Sequence, residues 1–181
     1  METNFIRAAR GGTGFAKCGG NYGAAYYPTL QARLEGYEQV LWTDSKENKY
    51  IEESGMMNIM FVISNTLVTP PLSDSILDGV TRDSLLTIAN DMGYAAIERQ
   101  VSVDELETAF QNGTLTEAFG AGTAAVVAPI KTINIRGTDF HLPKYTHENL
   151  LFKLKDQLEA MRMGSAPDLH DWNFIIPAGN R

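Results

Sequence analysis

The chain has little with which to build several common kinds of site. Among its 181 residues there is a single cysteine, Cys18, which excludes an internal disulfide and any metal centre made from several thiolates. Its three histidines, His141, His147 and His170, are scattered and match no metal-ligand spacing. They read as surface or core residues, and no metal is expected. Positive charge is scarce: 15 Lys and Arg stand against 22 Asp and Glu, a net charge of −7. No basic stripe is left for a phosphate backbone, and nucleic acid is not expected as a partner. No apolar run approaches the roughly 20 residues needed to span a bilayer, and the N-terminus has no basic stretch followed by an apolar core. No membrane or export signal is read, and the lone thiol suits a reducing, cytoplasmic location. Internal repeats, low-complexity segments and tether-like linkers are also lacking.

What is present is the composition of a globular protein, with 44% hydrophobic and 20% charged residues, enough chain for one domain or a large part of two. One stretch stands out. Gly11, Gly12, Gly14, Gly19 and Gly20 surround Lys17, and Tyr22 follows five residues later. Glycines on both sides let the backbone take unusual turns and let another molecule approach closely. A lysine in such a hollow can form a Schiff base with an aldehyde when its surroundings leave some of it neutral. A flexible turn with a solvated lysine fits the stretch equally well.

Along the chain, Asn4 to Arg10 reads as a strand entering the glycine-rich loop. Tyr26 to Gly36 reads as a helix, with Pro28 near its start and Gly36 past its end. Tyr37 to Thr43 and Lys49 to Gly55 read as a hairpin around the polar turn 44–48, followed by an apolar strand over Met57 to Ile63 and an arm at Leu67 to Thr69 that Pro70 and Pro71 stop. Leu85, Ile88, Ala89 and Met92 recur at helical spacing, with Thr81 or Asp83 near the N-terminus and Gly93 as C-cap. Tyr94 to Val101 predicts a strand and Val103 to Asn112 a short acidic helix. Strands are expected over Leu115 to Phe119, Val126 to Ile130 and Thr132 to Ile135, and Arg136 to Asp139 separates these from Phe140 to Pro143. Glu148 to Met163 carries one apolar stripe of an amphipathic helix. The fold class is α/β (α+β), a barrel-like mixed sheet flanked by three or four helices.

Three further stretches offer chemistry. Asp78 to Arg82 lies at a helix start, where free N–H groups and the dipole favour an anion. Gly120 to Ala124 is a glycine and threonine turn with a hydroxyl and uncovered amides. Each alone reads more readily as an ordinary cap or turn. In Glu52 to Asn58 an acid sits at the rim of an apolar strand, where a solvated edge carboxylate is the plainer reading. Glu105, Glu107 and Glu117 read as solvated charges. An amine, a phenol, a carboxylate and two anion cradles together suit pyridoxal phosphate, whose aldehyde, ring oxygen, ring nitrogen and phosphate each need a partner.

These stretches, Gly11 to Tyr22, Gln39 to Trp42, Glu53 to Asn58, Leu77 to Ser84 and Phe119 to Ala125, resemble in order and spacing the motifs of branched-chain amino acid aminotransferases, over about Phe5 to Trp172. The resemblance implies the fold called type IV among pyridoxal phosphate proteins, and transfer of the amino group of leucine, isoleucine or valine to 2-oxoglutarate. It implies that Lys17 binds the cofactor aldehyde covalently and later moves the proton between substrate and cofactor. Tyr22 would bond the ring oxygen, Glu53 the ring nitrogen, and Leu77 would pack on the ring. Val80, Thr81 and Thr123 would hold the phosphate, Thr123 and Ala124 the substrate carboxylate, and Arg7 and Asn58 would lie near the pocket. Met56 stands where many relatives have threonine near the substrate, and residues 125–128 lack the paired cysteines of some animal members. Residues 1–181 correspond to the C-terminal cofactor-binding domain, expected without the preceding domain that in relatives supplies a phosphate-binding arginine and much of a homodimer contact. The chain is therefore expected to be a fragment with little activity. Two other readings stay open: a non-catalytic, self-associating module, or a D-amino acid aminotransferase or aminodeoxychorismate lyase of the same fold.

Overall fold

The computed structural model of the chain describes residues 1–176. Its elements follow in the order α1 (Gly19–Leu34), β1 (Leu41–Thr43), β2 (Ile51–Ser54), β3 (Met57–Ile63), β4 (Thr66–Thr69), α2 (Val80–Asp91), β5 (Ala96–Glu98), α3 (Val103–Gln111), β6 (Leu115–Gly122), β7 (Val126–Pro129), β8 (Thr132–Ile135), β9 (Thr138–His141) and α4 (Leu150–Arg162).

β3 is apolar at every position but Asn58 because both of its faces are covered, as strand burial at the centre of a layered fold requires. Ile59, Phe61 and Ile63 pack with Val68, Val101 and the α3 residues Leu106 and Ala109. Met60 and Val62, on the alternate positions, pack with Leu85 and Ile88 of α2 and Leu151 and Leu154 of α4. β6 runs antiparallel along one edge of β3, from Asn58 opposite Ala121 to Ile63 opposite Leu115. The other edge is divided: β2 pairs near Met57 and Asn58, β4 near Phe61 to Ile63. β4 then pairs with β5, the one parallel ladder of the sheet among the described residues. Beyond β5 the chain returns to the start of β2, where Ile51 N donates to Val101 O at 2.9 Å and Val103 N donates to Lys49 O at 2.8 Å. Strands β2 to β5 and residues 101–103 thus close into a ring, the barrel-like sheet expected from the sequence.

α2, α3 and α4 lie where the apolar spacing places them, and Gly93 has the positive φ of a C-terminal stop. Other expectations are corrected. Asn4 to Arg10 forms no strand; Arg7 and Ala8 are buried as irregular chain. α1 begins at Gly19, seven residues before Tyr26, and Pro28 lies inside it. The start is set by tertiary contacts of Asn21, because Gly19 and Gly20 have little helical preference of their own. The strand expected over Tyr94 to Val101 is confined to Ala96–Glu98. The last strand begins at Thr138, since Arg136 and Gly137, both at positive φ, make a tight hairpin from β8.

Glu117 is buried rather than solvated. Its carboxylate accepts from Asn149 Nδ2 at 3.0 Å, Leu150 N at 2.8 Å and Leu151 N at 2.8 Å, closing the N-terminus of α4 from β6. Such a cap satisfies amides the helix leaves open and suits the positive end of its dipole. Glu105 pairs with Arg99 and Glu107 with Arg136 at the surface.

Candidate active site

At one end of the sheet the ladders align Trp42, Glu53, Asn58, Ala121 and Val127 in a single row across β1, β2, β3, β6 and β7. Neighbouring residues of a row project to the same face. Trp42 is fully buried and its Nε1 donates to Gly55 O at 2.9 Å, which fixes the turn between β2 and β3. Glu53, only 2% exposed, therefore stands on a rigid base. Its Oε1 accepts from Leu77 N at 2.7 Å, and Arg7 Nε lies 3.1 Å from its Oε2 without the alignment of a hydrogen bond. Burial pushes the Glu53 carboxyl up to about 7, against the pull of Arg7 and the Leu77 amide. The neighbouring Glu52, to which Ser75 Oγ donates, is also raised by burial.

Arg7 is held in turn by carbonyls, its Nη2 donating to Gly14 O at 3.0 Å and to Ser75 O. The irregular N-terminal segment is thereby tied to the glycine loop and to the chain before α2. Lys17, Tyr22, Glu53, Arg7, Met56 and Leu77 line one cleft, which holds about 340 Å³ of space, part of it open to solvent. Lys17 Nζ sits 6.0 Å from the centre of the Tyr22 ring. A primary amine, a phenol, a buried carboxylate and two apolar side chains thus converge.

Asn58 joins this cleft to the start of α2. Its Nδ2 donates to Leu77 O at 2.8 Å, and its Oδ1 fills the space that a Cβ on Gly79 would occupy. Gly79 is the N-cap of α2 and offers no side chain to it. Val80, 81% exposed, and Thr81 follow, so their amides are those a helix cannot satisfy internally. Thr81 and Asp83 lie inside the first turn rather than at the cap, and with no side-chain cap bond the amides of Val80 and Thr81 stay open to an anion.

Six residues of the cleft lining are ones the sequence singled out; five others, Asn58, Val80, Thr81, Thr123 and Ala124, lie outside it. Val80 and Thr81 stand at the helix start just described. Thr123 and Ala124 are exposed on the turn after Gly122, two and three residues beyond the Ala121 that faces Asn58. Sequence reasoning gave no role to Asn21, Asp74 or Ser75, which shape the loop around Lys17. Asn21 was legible only as part of a motif, and its burial is set by contacts that no local pattern reveals.

An aldehyde, a ring with an acidic nitrogen and a phosphate need an amine, a buried carboxylate and an uncovered helix start. The donor set here fits such a group. Among the described residues no cluster of histidine, cysteine, aspartate or glutamate could hold a metal ion, and no helix is long and apolar enough to cross a membrane.

The model of the family described as Amino-transferase class IV matches residues 16–133. Among curated relatives, a probable branched-chain-amino-acid aminotransferase of Staphylococcus epidermidis is 42% identical over 177 residues, covering 98% of this chain and 49% of the relative. One of Streptomyces coelicolor is 45% identical over 171 residues, covering 94% of this chain and 47% of the relative. The chain thus spans about half the length of the curated relatives it matches. Among solved structures, the branched-chain amino acid aminotransferase of Escherichia coli superposes with a TM-score of 0.77 at 27% identity, over 94% of this chain and 54% of that one. The T.th. enzyme complexed with N-(5'-phosphopyridoxyl)-L-glutamate gives a TM-score of 0.76 at 27% identity, over 94% and 53% of the two chains.

Proposed function

The chain belongs to the class IV amino-transferase family, and from that premise we propose that it is the C-terminal cofactor-binding part of a branched-chain amino acid aminotransferase that uses pyridoxal 5'-phosphate. The observation that carries this reading is the convergence of Lys17, Tyr22 and the buried Glu53 on one cleft. The cofactor, when bound, supplies an electron-withdrawing ring that makes a substrate Cα proton removable.

The residues divide the work. Lys17 Nζ would hold the aldehyde carbon and, as a free amine, would take the substrate Cα proton and return it. Glu53 would face the ring nitrogen and hold a proton there; in the chain itself burial raises its carboxyl to about 7. Arg7 biases that proton toward the ring by favouring the carboxylate form of Glu53. Tyr22 would donate to the ring oxygen and Leu77 would pack on the ring, while Asn58 fixes Leu77 and Gly79 relative to Glu53. The amides of Val80 and Thr81 and the turn at Thr123 take the phosphate, and Thr123 and Ala124 take the substrate carboxylate. Met56, 60% exposed at the mouth of the cleft, offers an apolar contact to the side chain of leucine, isoleucine or valine, with 2-oxoglutarate as acceptor.

A homodimer accompanies this reading, and a cytoplasmic location with it. Tyr22, Tyr26, Leu30 and Leu34 recur every four residues on one exposed stripe of α1, with Tyr26 73% and Leu34 75% exposed. With Tyr27 and the Phe5 ring packed on it, they present on the order of 600 Å² of apolar surface, at ~200 Å² per large side chain. A standard interface takes about 800 Å² from each partner. The same stripe supports the alternative of a self-associating module without activity.

Equilibrium dialysis with pyridoxal phosphate tests the cofactor reading: wild type binds, and Lys17→Ala binds at least about tenfold more weakly, having lost its covalent anchor. Equal binding by both would remove Lys17 from its role. Glutamate formation from leucine and 2-oxoglutarate, against D-alanine as donor, separates the branched-chain reading from the D-amino acid enzyme and from the inactive module. Sedimentation tests the dimer; a monomer at high concentration contradicts it.

A further inference from the structure

Lys17 makes no hydrogen bond among the described residues, yet the loop that carries it is pinned on every side. Gly11 N donates to Asp74 Oδ2 at 2.6 Å and Phe15 N to Asp74 O at 3.1 Å. A Cβ on Gly14 would stand 2.5 Å from Ser75 Cα and 2.6 Å from Ala8 Cβ, so the loop lies flat against the chain before α2. These contacts hold the far side of the loop. On the near side the shortest side-chain ties come from Asn21, four residues after the lysine and inside the first turn of α1, with a longer one of 4.0 Å from Cys18 Sγ to Thr13 O.

Asn21 is buried and uses its whole amide. Nδ2 donates to Thr13 O at 2.9 Å and to Ala16 O at 2.9 Å, and Oδ1 accepts from Thr13 Oγ1 at 3.0 Å. Its backbone N also donates to Cys18 O at 3.3 Å. The carbonyl immediately before Lys17 is therefore clamped to the helix that bears Tyr22. Neither glycine at the start of α1 could set that distance, since Gly19 and Gly20 have no side chain and open space lies where a Cβ would stand.

We infer that Asn21 is a positioning residue for Lys17: its amide fixes the reach of the Lys17 amine into the cleft and its separation from Tyr22 and Glu53. The inference rests on the cofactor reading above. An asparagine is required because the site presents two carbonyls and one hydroxyl, which need two donors and one acceptor from one planar group. Aspartate has the same shape but turns both donor contacts into repulsions between oxygens. A residue that merely filled space would tolerate that exchange; a clamp would not.

The test uses the whole chain with pyridoxal phosphate and borohydride. An amine condenses with the aldehyde and releases water, and hydride from borohydride then saturates the C=N bond, leaving a stable mark that peptide mass spectrometry assigns to one of the seven lysines. Wild type is expected to carry the mark chiefly at Lys17. In Asn21→Ala and Asn21→Asp the rate of marking at Lys17 falls about tenfold or more, as small displacements of a reacting group do. Marking of the other lysines stays unchanged, which general loosening of the fold would not produce. Asn21→Asp is at least as impaired as Asn21→Ala. The exposed Thr13 gives a second series that leaves the core intact: Thr13→Val lowers marking at Lys17 partially and Thr13→Ser restores it. Wild-type selectivity in Asn21→Asp overturns the inference. Where that variant fails to fold by circular dichroism, unchanged selectivity in Thr13→Val overturns it instead. Failure of wild type to mark Lys17 removes the cofactor reading, and this inference with it.

Discussion

The cleft has two unlike walls. One is built on strands and nearly closed to water: Trp42, Glu53, Ser54 and Asn58 stand in the β1 to β3 ladders, with Arg7 laid across them. The other is built on loops and helix starts and lies open: Lys17, Tyr22, Met56, Val80, Thr123 and Ala124 are exposed. The closed wall sets charge, because only a buried carboxylate can be pushed to about 7 beside an arginine. The open wall supplies the groups that must meet a ligand and let it leave. Stability and reactivity are thereby placed on different residues, and substitutions should separate them.

The largest effect belongs to the closed wall. Trp42→Ala removes a fully buried indole and its bond to Gly55 O, and urea unfolding should show a loss of about 3–5 kcal/mol. Next comes the pH dependence of Glu53. Its carboxyl is raised from 4.5 to about 7 on folding, so between those values the folded chain holds more protons than the unfolded one. Stability is fully favoured below pH 4.5 and declines as pH rises through 7, by up to about 3 kcal/mol. Denaturation of the cofactor-free chain at a series of pH values checks this, and Glu53→Gln should flatten the slope.

A smaller effect is expected where the two walls meet. Gly79→Ala drives a methyl into Asn58 Oδ1, and the shift needed to relieve it should cost about 1–3 kcal/mol and weaken phosphate binding together with stability. On the open wall, Lys17→Ala and Met56→Thr should change unfolding free energy by no more than about 0.5 kcal/mol, while Lys17→Ala removes covalent attachment. A loss of several kcal/mol from either would break the distinction between the walls.

The sequence made the open wall easier to read than the closed one. Lys17 among glycines, the start of α2 and the turn at Thr123 are local patterns, and helices α2, α3 and α4 follow from apolar spacing alone. Glu53 could be named but not its burial, which depends on Arg7 crossing from a segment read as a strand and found irregular. Glu117 looked like a solvated charge because the helix it caps lies more than thirty residues away. α1 was placed late because its start is decided by Asn21 reaching back to Thr13 and Ala16, against the preference of two glycines. Long-range hydrogen bonds by buried polar groups are what a linear pattern hides.

A crystal structure of the chain with pyridoxal phosphate tests the central claim most directly. Continuous density from Lys17 Nζ to the aldehyde carbon, with the ring nitrogen against Glu53 and the phosphate at the start of α2, is the result predicted. Density on another lysine, or a ring nitrogen facing solvent with Glu53 still paired only to Arg7, would contradict it.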